Sequence, residues 1–259
     1  MTESAMDVVT SEIVDPHVLL ITINRPEKRN AFDGATARAF EKVIDAYESD
    51  DDLRVAIITG AGPTFSAGQD LAAAAVGDFG GTERRGGFGV MGVRPHKPLI
   101  AAVEGHALAG GLELCLACDL VVASSATQMG IPEAARALVA VGGGLFRLPK
   151  RIPYHIAMEL ALTGESRSAE YFAQWGLVNK VVEPGEVVGA ARELARKIAA
   201  SGPLAVSASV EIVRRAYDWA ETDAWSRQME YADPVMASED TQEGIRAFIE
   251  KREPVWKGR

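Results

Sequence analysis

Two glutamates and two glycine-containing turns are the residues of this chain whose types and spacing could do chemistry. Gly105-His106-Ala107-Leu108-Ala109-Gly110-Gly111-Leu112-Glu113 follows a short apolar run and opens a helical pattern on a glycine pair. Phe65-Ser66-Ala67-Gly68-Gln69-Asp70-Leu71 likewise follows an apolar run and a turn. Small residues let a ligand approach the backbone closely. N–H groups at a helix start are unpaired and point outward. Each turn alone is an ordinary connection, but two on neighbouring strands could aim two N–H groups at one developing oxyanion. Glu113 stands three residues after Gly110, one helical turn on and on the same side. Glu133 follows Ile131-Pro132 and has Met129, Ala134 and Ala135 for neighbours. Most glutamates are solvated surface groups. A carboxyl desolvated among Leu112, Leu114, Cys115 and Leu116 would have its pKa raised and could trade protons near neutrality.

The elements that must position these residues read as an α/β chain. Ser11–Val14 and Val18–Ile23 are strands joined at Asp15-Pro16. A helix follows over Gly34–Tyr47 with Asp33 as N-cap. Val55–Thr59, Leu99–Val103, Leu120–Ala123 and Gln128–Gly130 are further strands, and Gly110–Ala117 is a helix. This order implies a mostly parallel sheet. The stretch Ala72–Lys97 has weak periodicity and reads as mobile, helical only at its start. After Pro153 helices dominate, at Tyr154–Leu162, Ala169–Trp175, Val187–Ala200, Pro203–Trp219, Asp223–Ala232 and Asp240–Arg252. Leu177–Val182 is the one strand expected among them. Residues 1–200 form the expected α/β core and 201–259 a helical region for assembly and closure of the site.

Composition narrows the function. The 259 residues are 47% apolar and 24% charged, as in a globular protein with a real core. A net charge of −9 argues against nucleic acid, which needs a concentrated basic face. It does not exclude a small anionic ligand held by local cations. Cys115 and Cys118 form a C-x-x-C, but zinc would need two more ligands, and His17, His96, His106 and His155 supply no ligand-spaced pair. Both thiols are expected to pack along an apolar helix. Gly87-Phe88-Gly89-Val90-Met91-Gly92 matches a dinucleotide fingerprint, yet no strand precedes it and Pro95 and Pro98 break any helix after it. Met1 to Thr10 lacks a basic region followed by an apolar stretch, so no secretory leader is expected. Leu99 to Ala123 is interrupted by Glu104, His106, Glu113 and Asp119, so no bilayer span is expected. The expectation is a cytoplasmic protein with no nucleic-acid or membrane partner.

Five motifs carry a resemblance over nearly the whole chain. Asn24-Arg25-Pro26-Glu27-Lys28-Arg29-Asn30-Ala31, Phe65-Ser66-Ala67-Gly68-Gln69-Asp70, Gly110-Gly111-Leu112-Glu113-Leu114, Ile131-Pro132-Glu133 and Gly176-Leu177-Val178 occur in the order and spacing of the crotonase (enoyl-CoA hydratase/isomerase) family. Glu243 to Lys251 matches as well. The resemblance implies the crotonase ββα spiral core and an oxyanion hole built from the N–H groups of Gln69 and Gly110. It further implies that Glu113 and Glu133 act as an acid/base pair around a water, with the assignment of acid and base left open. Lys28, Arg29, Ala67, Gly68, Asp70 and Leu71 would line the coenzyme, with Phe248 and Lys251 reaching the coenzyme of a neighbouring subunit in a homotrimer or dimer of trimers. The implied activity is an enoyl-CoA hydratase, adding water to a 2-enoyl-CoA to give a 3-hydroxyacyl-CoA. No separate cofactor is implied, since coenzyme A enters as part of the substrate. Alternatives are an isomerase using one glutamate, a carnitinyl-CoA dehydratase-like reaction, or an acyl-CoA binder without catalysis. Gly143-Gly144-Leu145-Phe146-Arg147-Leu148-Pro149-Lys150 is similar to the carnitinyl-CoA dehydratase branch. The segment after Glu133 departs from typical hydratases, which have Gly at the position of Ala137 and Pro near Ala140.

Overall fold

The computed structural model describes residues 7–259, so the first six residues of the stretch read for a leader lie outside it. β1 (Val9–Asp15) and β2 (Val18–Ile23) pair antiparallel across Pro16-His17. α1 (Gly34–Ser49) begins where expected, with the Thr36 N–H donating to Asp33 Oδ1 at 2.8 Å. That cap satisfies one of the orphan donors of the first turn. β3 (Val55–Gly60) runs parallel to β2 and is buried on both faces through Thr59, as a strand covered by helices on each side must be.

The segment 72–97 is packed rather than loose. It contains α2 (Leu71–Ala74) and a two-residue hairpin of β4 (Gly81–Thr82) and β5 (Gly86–Gly87), and its Phe88, Val90 and Met91 enter the core. Arg85 is 2% exposed; it donates to Asp45 at 2.7 Å and to the Val93 carbonyl at 2.9 Å, and it pairs with Glu48. Asp45 and Glu48 lie three residues apart on α1, on one face of the helix, so the loop is fastened to that helix by charge. Apolar periodicity carries no trace of such an anchor.

β6 (Leu99–Val103), β7 (His106–Leu108), α3 (Gly110–Ala117), β8 (Leu120–Ser124) and β9 (Gln128–Gly130) follow. After α4 (Gly144–Arg147) and α5 (Tyr154–Thr163) come a short strand β10 (Arg167–Ser168), α6 (Ala169–Gln174), β11 (Lys180–Val182) and α7 (Val187–Ala199). The main sheet has the order β1-β2-β3-β6-β8-β11, with every pair after β1-β2 parallel. Period-two alternation sends Ala56 and Ile58 to the face packed by Phe40, Ile44 and Tyr47 of α1. Val55 and Ile57 meet Ala191 and Ala195 of α7 on the other. A second sheet has the order β10-β9-β7 and is continued by single bridges, Ser66 to Ala107 and Phe32 to Gln69. β10 is an additional strand within the helical half, and the expected strand at Leu177–Val182 shortens to β11.

The chain ends in α8 (Pro203–Arg215), α9 (Glu221–Arg227), α10 (Met229–Met236) and α11 (Glu239–Glu250). The helix expected at Asp223–Ala232 is two, broken at Gln228. Among the described residues of this region Glu211, Ser238, Asp240 and Ala247 are the buried ones, while Trp225, Ile245, Phe248 and Ile249 lie exposed. Among the described residues no helix is long and apolar enough to cross a membrane.

Arg85→Met keeps the stem and removes the cation. Because Asp45 and Glu48 sit at the rim and can turn to solvent, the loss should stay below the 3–5 kcal/mol of a fully buried broken pair. We expect about 2 kcal/mol in urea denaturation; an unchanged midpoint would mean that the pairs do not hold the loop.

Candidate active site

The second sheet brings the two glycine turns together. Ser66 pairs with Ala107 through Ser66 N–H to the His106 carbonyl at 3.1 Å and Leu108 N–H to the Ser66 carbonyl at 3.1 Å. Ser66 Oγ donates to the Asn30 carbonyl at 2.8 Å and accepts the Gly68 N–H at 3.1 Å. Fully buried Asn30 gives its amide to the carbonyls of Ala61 and Thr64 and accepts the Arg25 N–H at 2.9 Å. Thus the Asn24–Ala31 motif and the Phe65–Asp70 motif are one hydrogen-bonded unit.

Gly68 and Gly110 then meet. A Cβ on Gly68, whose φ is +91°, would lie 2.7 Å from the Gly110 nitrogen, and one on Gly110 would lie 2.5 Å from the Phe88 ring. Glycine is required at both by space, and at Gly68 by conformation too. Phe32 N–H donates to the Gly68 carbonyl and Asp70 N–H to the Phe32 carbonyl, both at 2.8 Å. This bridge uses the amides on either side of Gln69 and leaves its own N–H facing away. Ala109, at φ +53° and ψ −126°, makes the sharp turn into α3. A non-glycine residue held there stores strain, as functional turns often do. Among the described residues neither the Gln69 nor the Gly110 N–H finds an acceptor. The Gln69 side chain is engaged elsewhere, accepting the Gly80 N–H at 2.8 Å.

The two carboxyls enter from adjacent strand ends. β7 and β9 are parallel, and Ala109 N–H donates to the Gly130 carbonyl at 2.9 Å, so the start of α3 and the residues after β9 are neighbours. Glu113 is 4% exposed and accepts the Gly144 N–H on Oε1 at 2.8 Å. Burial pushes its carboxyl up, against the pull of the Gly144 and Gly142 N–H groups and the Arg147 charge. Glu133 is pushed up to about 7, chiefly by burial, with the nearby Glu113 carboxylate adding to the rise. Its Oε2 is buried without a hydrogen-bond partner among the described residues. The altered loop beyond it still turns back, because Ala137 accepts a left-handed φ of +54°. Beside Glu133 a cavity of about 380 Å³ opens, lined by Leu138, Ala140, Leu145, Met158 and Leu162 among others.

Other candidate residues divide by place. Lys28 and Arg29 are exposed on the turn after β2, and the Arg29 carbonyl accepts the Ala67 N–H at 3.0 Å, so these three lie together. Asp70 caps α2, accepting from Ala72 and Ala73 at 3.1 and 3.2 Å, with Arg25 at 3.3 Å. Leu71 beside it is more than half exposed. Phe248 and Lys251 are exposed on and just after α11. Near the start of that helix, buried Asp240 accepts the Lys257 and Gly258 N–H groups at 2.7 and 3.0 Å, which folds the C-terminal residues back onto it. Cys115 and Cys118 are buried, and burial pushes both thiols up.

Three residues escaped the sequence reading. Phe88, inside the rejected Gly-x-Gly-x-x-Gly run, stacks on Phe32 at 4.0 Å between centroids and walls the Gly110 turn. Gly144 supplies the N–H to Glu113. Arg147 holds the surrounding loops by donating to the carbonyls of Met91 at 2.5 Å and Gly142 at 3.4 Å. The Gly142-Gly143-Gly144 run was the available signal for the second.

The sequence matches the family profile described as enoyl-CoA hydratase/isomerase over residues 15–259. It is 43% identical to a carnitinyl-CoA dehydratase of Salmonella arizonae, covering 93% of this chain and 95% of that one. Its structure is similar to that of an enoyl-CoA hydratase from Mycobacterium marinum, at 49% identity and a TM-score of 0.95, covering 98% of this chain and 100% of that chain. A probable enoyl-CoA hydratase/isomerase from Mycobacterium abscessus is 52% identical with a TM-score of 0.94, at the same coverage.

An unfolded glutamate titrates near ~4.3. The native value of about 7 means that the folded state binds the Glu133 proton more tightly. Its stabilising contribution is therefore full below about 4.3 and is lost as pH rises through 7. Relative to Glu133→Gln, the wild type should lose on the order of 2 kcal/mol across that window, allowing for partial solvent screening. Urea denaturation at stepped pH measures this, and a pH-independent difference would contradict the raised pKa.

Proposed function

The chain belongs to the enoyl-CoA hydratase/isomerase family, and from that premise we propose that it adds water reversibly across the C2–C3 bond of a 2-enoyl-CoA. Enzymes of this family act on acyl-CoA substrates. The observation that carries the finer reading is a pair of desolvated carboxyls, both with raised pKa values, beside two backbone N–H groups that find no acceptor among the described residues. In this reading the thioester oxygen lies on the Gln69 and Gly110 N–H groups. They stabilise the enolate charge more than the ground-state carbonyl, which is what lowers the barrier. Glu113, whose Oε1 accepts an N–H and so favours the ionised form, takes a proton from the water that attacks C3. Glu133, protonated near neutrality and with an unpartnered oxygen, delivers a proton to C2. The water's hydroxyl ends on C3, a proton ends on C2, and exchange with solvent resets the pair.

Lys28 and Arg29 supply local positive charge for the coenzyme phosphates against the acidic whole. Phe248 and Lys251 serve the coenzyme of a neighbouring subunit, in an assembly that would also cover the exposed apolar residues of the C-terminal helices. A carnitinyl-CoA dehydratase-type reaction is the second reading, favoured by the 43% identity to proteins of that name. The cavity beside Glu133 weighs for an apolar acyl group instead. Quaternary ammonium ions are recognised by aromatic cages, and Tyr154 is the single aromatic residue among those lining it.

The test is loss of conjugated-thioester absorbance with 2-enoyl-CoAs of increasing chain length, alongside one bearing a trimethylammonium group. We expect turnover of the apolar substrates and a lower kcat/KM for the cationic one. No turnover with any of them, despite measurable binding, would sink the hydratase reading. Glu113→Gln and Glu133→Gln should each lower kcat by about 10²–10⁴ while leaving coenzyme binding within about twofold. Full activity in either variant would remove that residue from the mechanism.

A further inference from the structure

A second cavity lies away from the candidate active site. It measures about 910 Å³ and lies between α8, the end of α7 and α4. Pro98 ahead of β6 and Leu120 at the start of β8 form part of its wall, so it opens at the strand-start end of the main sheet. The glycine turns follow the opposite strand ends.

Its lining is cationic in a protein whose net charge is −9. Arg94, Arg147, Lys150, Arg151, Lys197 and Arg214 face it, against two acids, Asp119 and Asp218. Both acids are already engaged. Asp119 takes two bonds from Arg214, at 2.8 and 2.7 Å, and one from the Leu99 N–H. Asp218 pairs with Lys150 at 2.7 Å. Arg147 spends its donors on the Met91 and Gly142 carbonyls. That leaves Arg94, Arg151 and Lys197 with no hydrogen bond or ion pair from their side chains among the described residues. Arg151 and Lys197 are exposed, and Arg94 is half-buried. Its pKa is lowered to about 10, chiefly by burial and then by the like charges of Arg214 and Arg147. Leaving a guanidinium half-desolvated among other cations is costly unless an anion joins them.

We propose that this cavity binds a small phosphate-bearing polyanion, held by Arg94, Arg151 and Lys197. Guanidinium forks match phosphate oxygens two at a time, and three unspent cations call for more than one negative charge. The exposed rings of Phe146 and Tyr217 stand on the same wall, so the phosphates could be free or part of a nucleotide. This site is independent of the activity proposed above.

The test is calorimetric titration of the full chain with inorganic tripolyphosphate and, separately, with ADP, each with and without coenzyme A present. We expect one tripolyphosphate per chain in both conditions, weakened about tenfold or more by Arg94→Gln and by Lys197→Gln. Raising the salt from about 50 to 200 mM should weaken it too. Tighter ADP binding, dependent on Arg94, identifies a nucleotide, whereas equal or weaker ADP binding identifies free polyphosphate. Because the Arg94 side chain makes no bond among the described residues, Arg94→Gln should keep or raise Tm in phosphate-free buffer, which certifies that the variant folds. Absence of wild-type binding, or binding that neither variant weakens, overturns the proposal. So does a fall in assembly mass on Arg94→Gln without any anion bound, since the cavity would then be closed by an acid of a second copy.

Discussion

Everything about the candidate site depends on two backbones passing within contact of each other at Gly68 and Gly110. A single methylene on Gly68 would stand 2.7 Å from the Gly110 nitrogen. Two amides from turns 42 positions apart can converge on one point only if nothing but backbone lies between them. The remaining structure reads as support for that approach. The Ser66–Ala107 bridge fixes the distance between the turns, and the Phe32–Gln69 bridge fixes which amide faces outward. Asn30 and the Ser66 hydroxyl satisfy the buried carbonyls that such a sharp path leaves behind. Each of these groups would cost free energy if buried unpaired.

The second constraint is electrostatic. Burial raises the pKa values of both carboxyls, with the Glu113 charge adding to the rise at Glu133, and a folded chain tolerates this only where surrounding donors limit the penalty. The limits differ at the two positions. Glu113 has the Gly144 N–H and the Arg147 charge, whereas one oxygen of Glu133 finds no partner among the described residues. Identical residues therefore acquire different chemistry from their surroundings. Arg147 belongs to both halves of this picture, since its guanidinium lies in the large cationic cavity while its hydrogen bonds brace the loop that feeds Glu113.

Several elements were legible because local physics decides them. α3 has the bounds its glycine pair and apolar run imply, and α1 starts at the aspartate that can cap it. The buried strands Val55–Gly60 and Leu99–Val103 are continuous apolar runs of strand length. Errors fell where long-range partners decide. The segment 72–97 looked mobile because its anchor is Arg85 meeting acids some 40 residues earlier in α1. Phe88 looked like part of an idle loop because its partner, Phe32, lies 56 positions away. The expected helix at Asp223–Ala232 broke in two at a position where no proline or glycine marks the boundary.

By itself the sequence determined which groups were on offer: two small-residue turns after strands, two glutamates in apolar company, and cations on the turn after β2. It also determined the α/β order, because strand and helix periodicities are properties of neighbouring residues. Tertiary structure alone decided that the Gln69 side chain is spent on the Gly80 N–H, that Gly144 reaches Glu113, and that one oxygen of Glu133 finds no partner among the described residues. It alone gathered six cations from four separate segments around one cavity. Desolvation and close approach depend on which distant residues exclude water and space from a group, and that information is absent from any local stretch of chain.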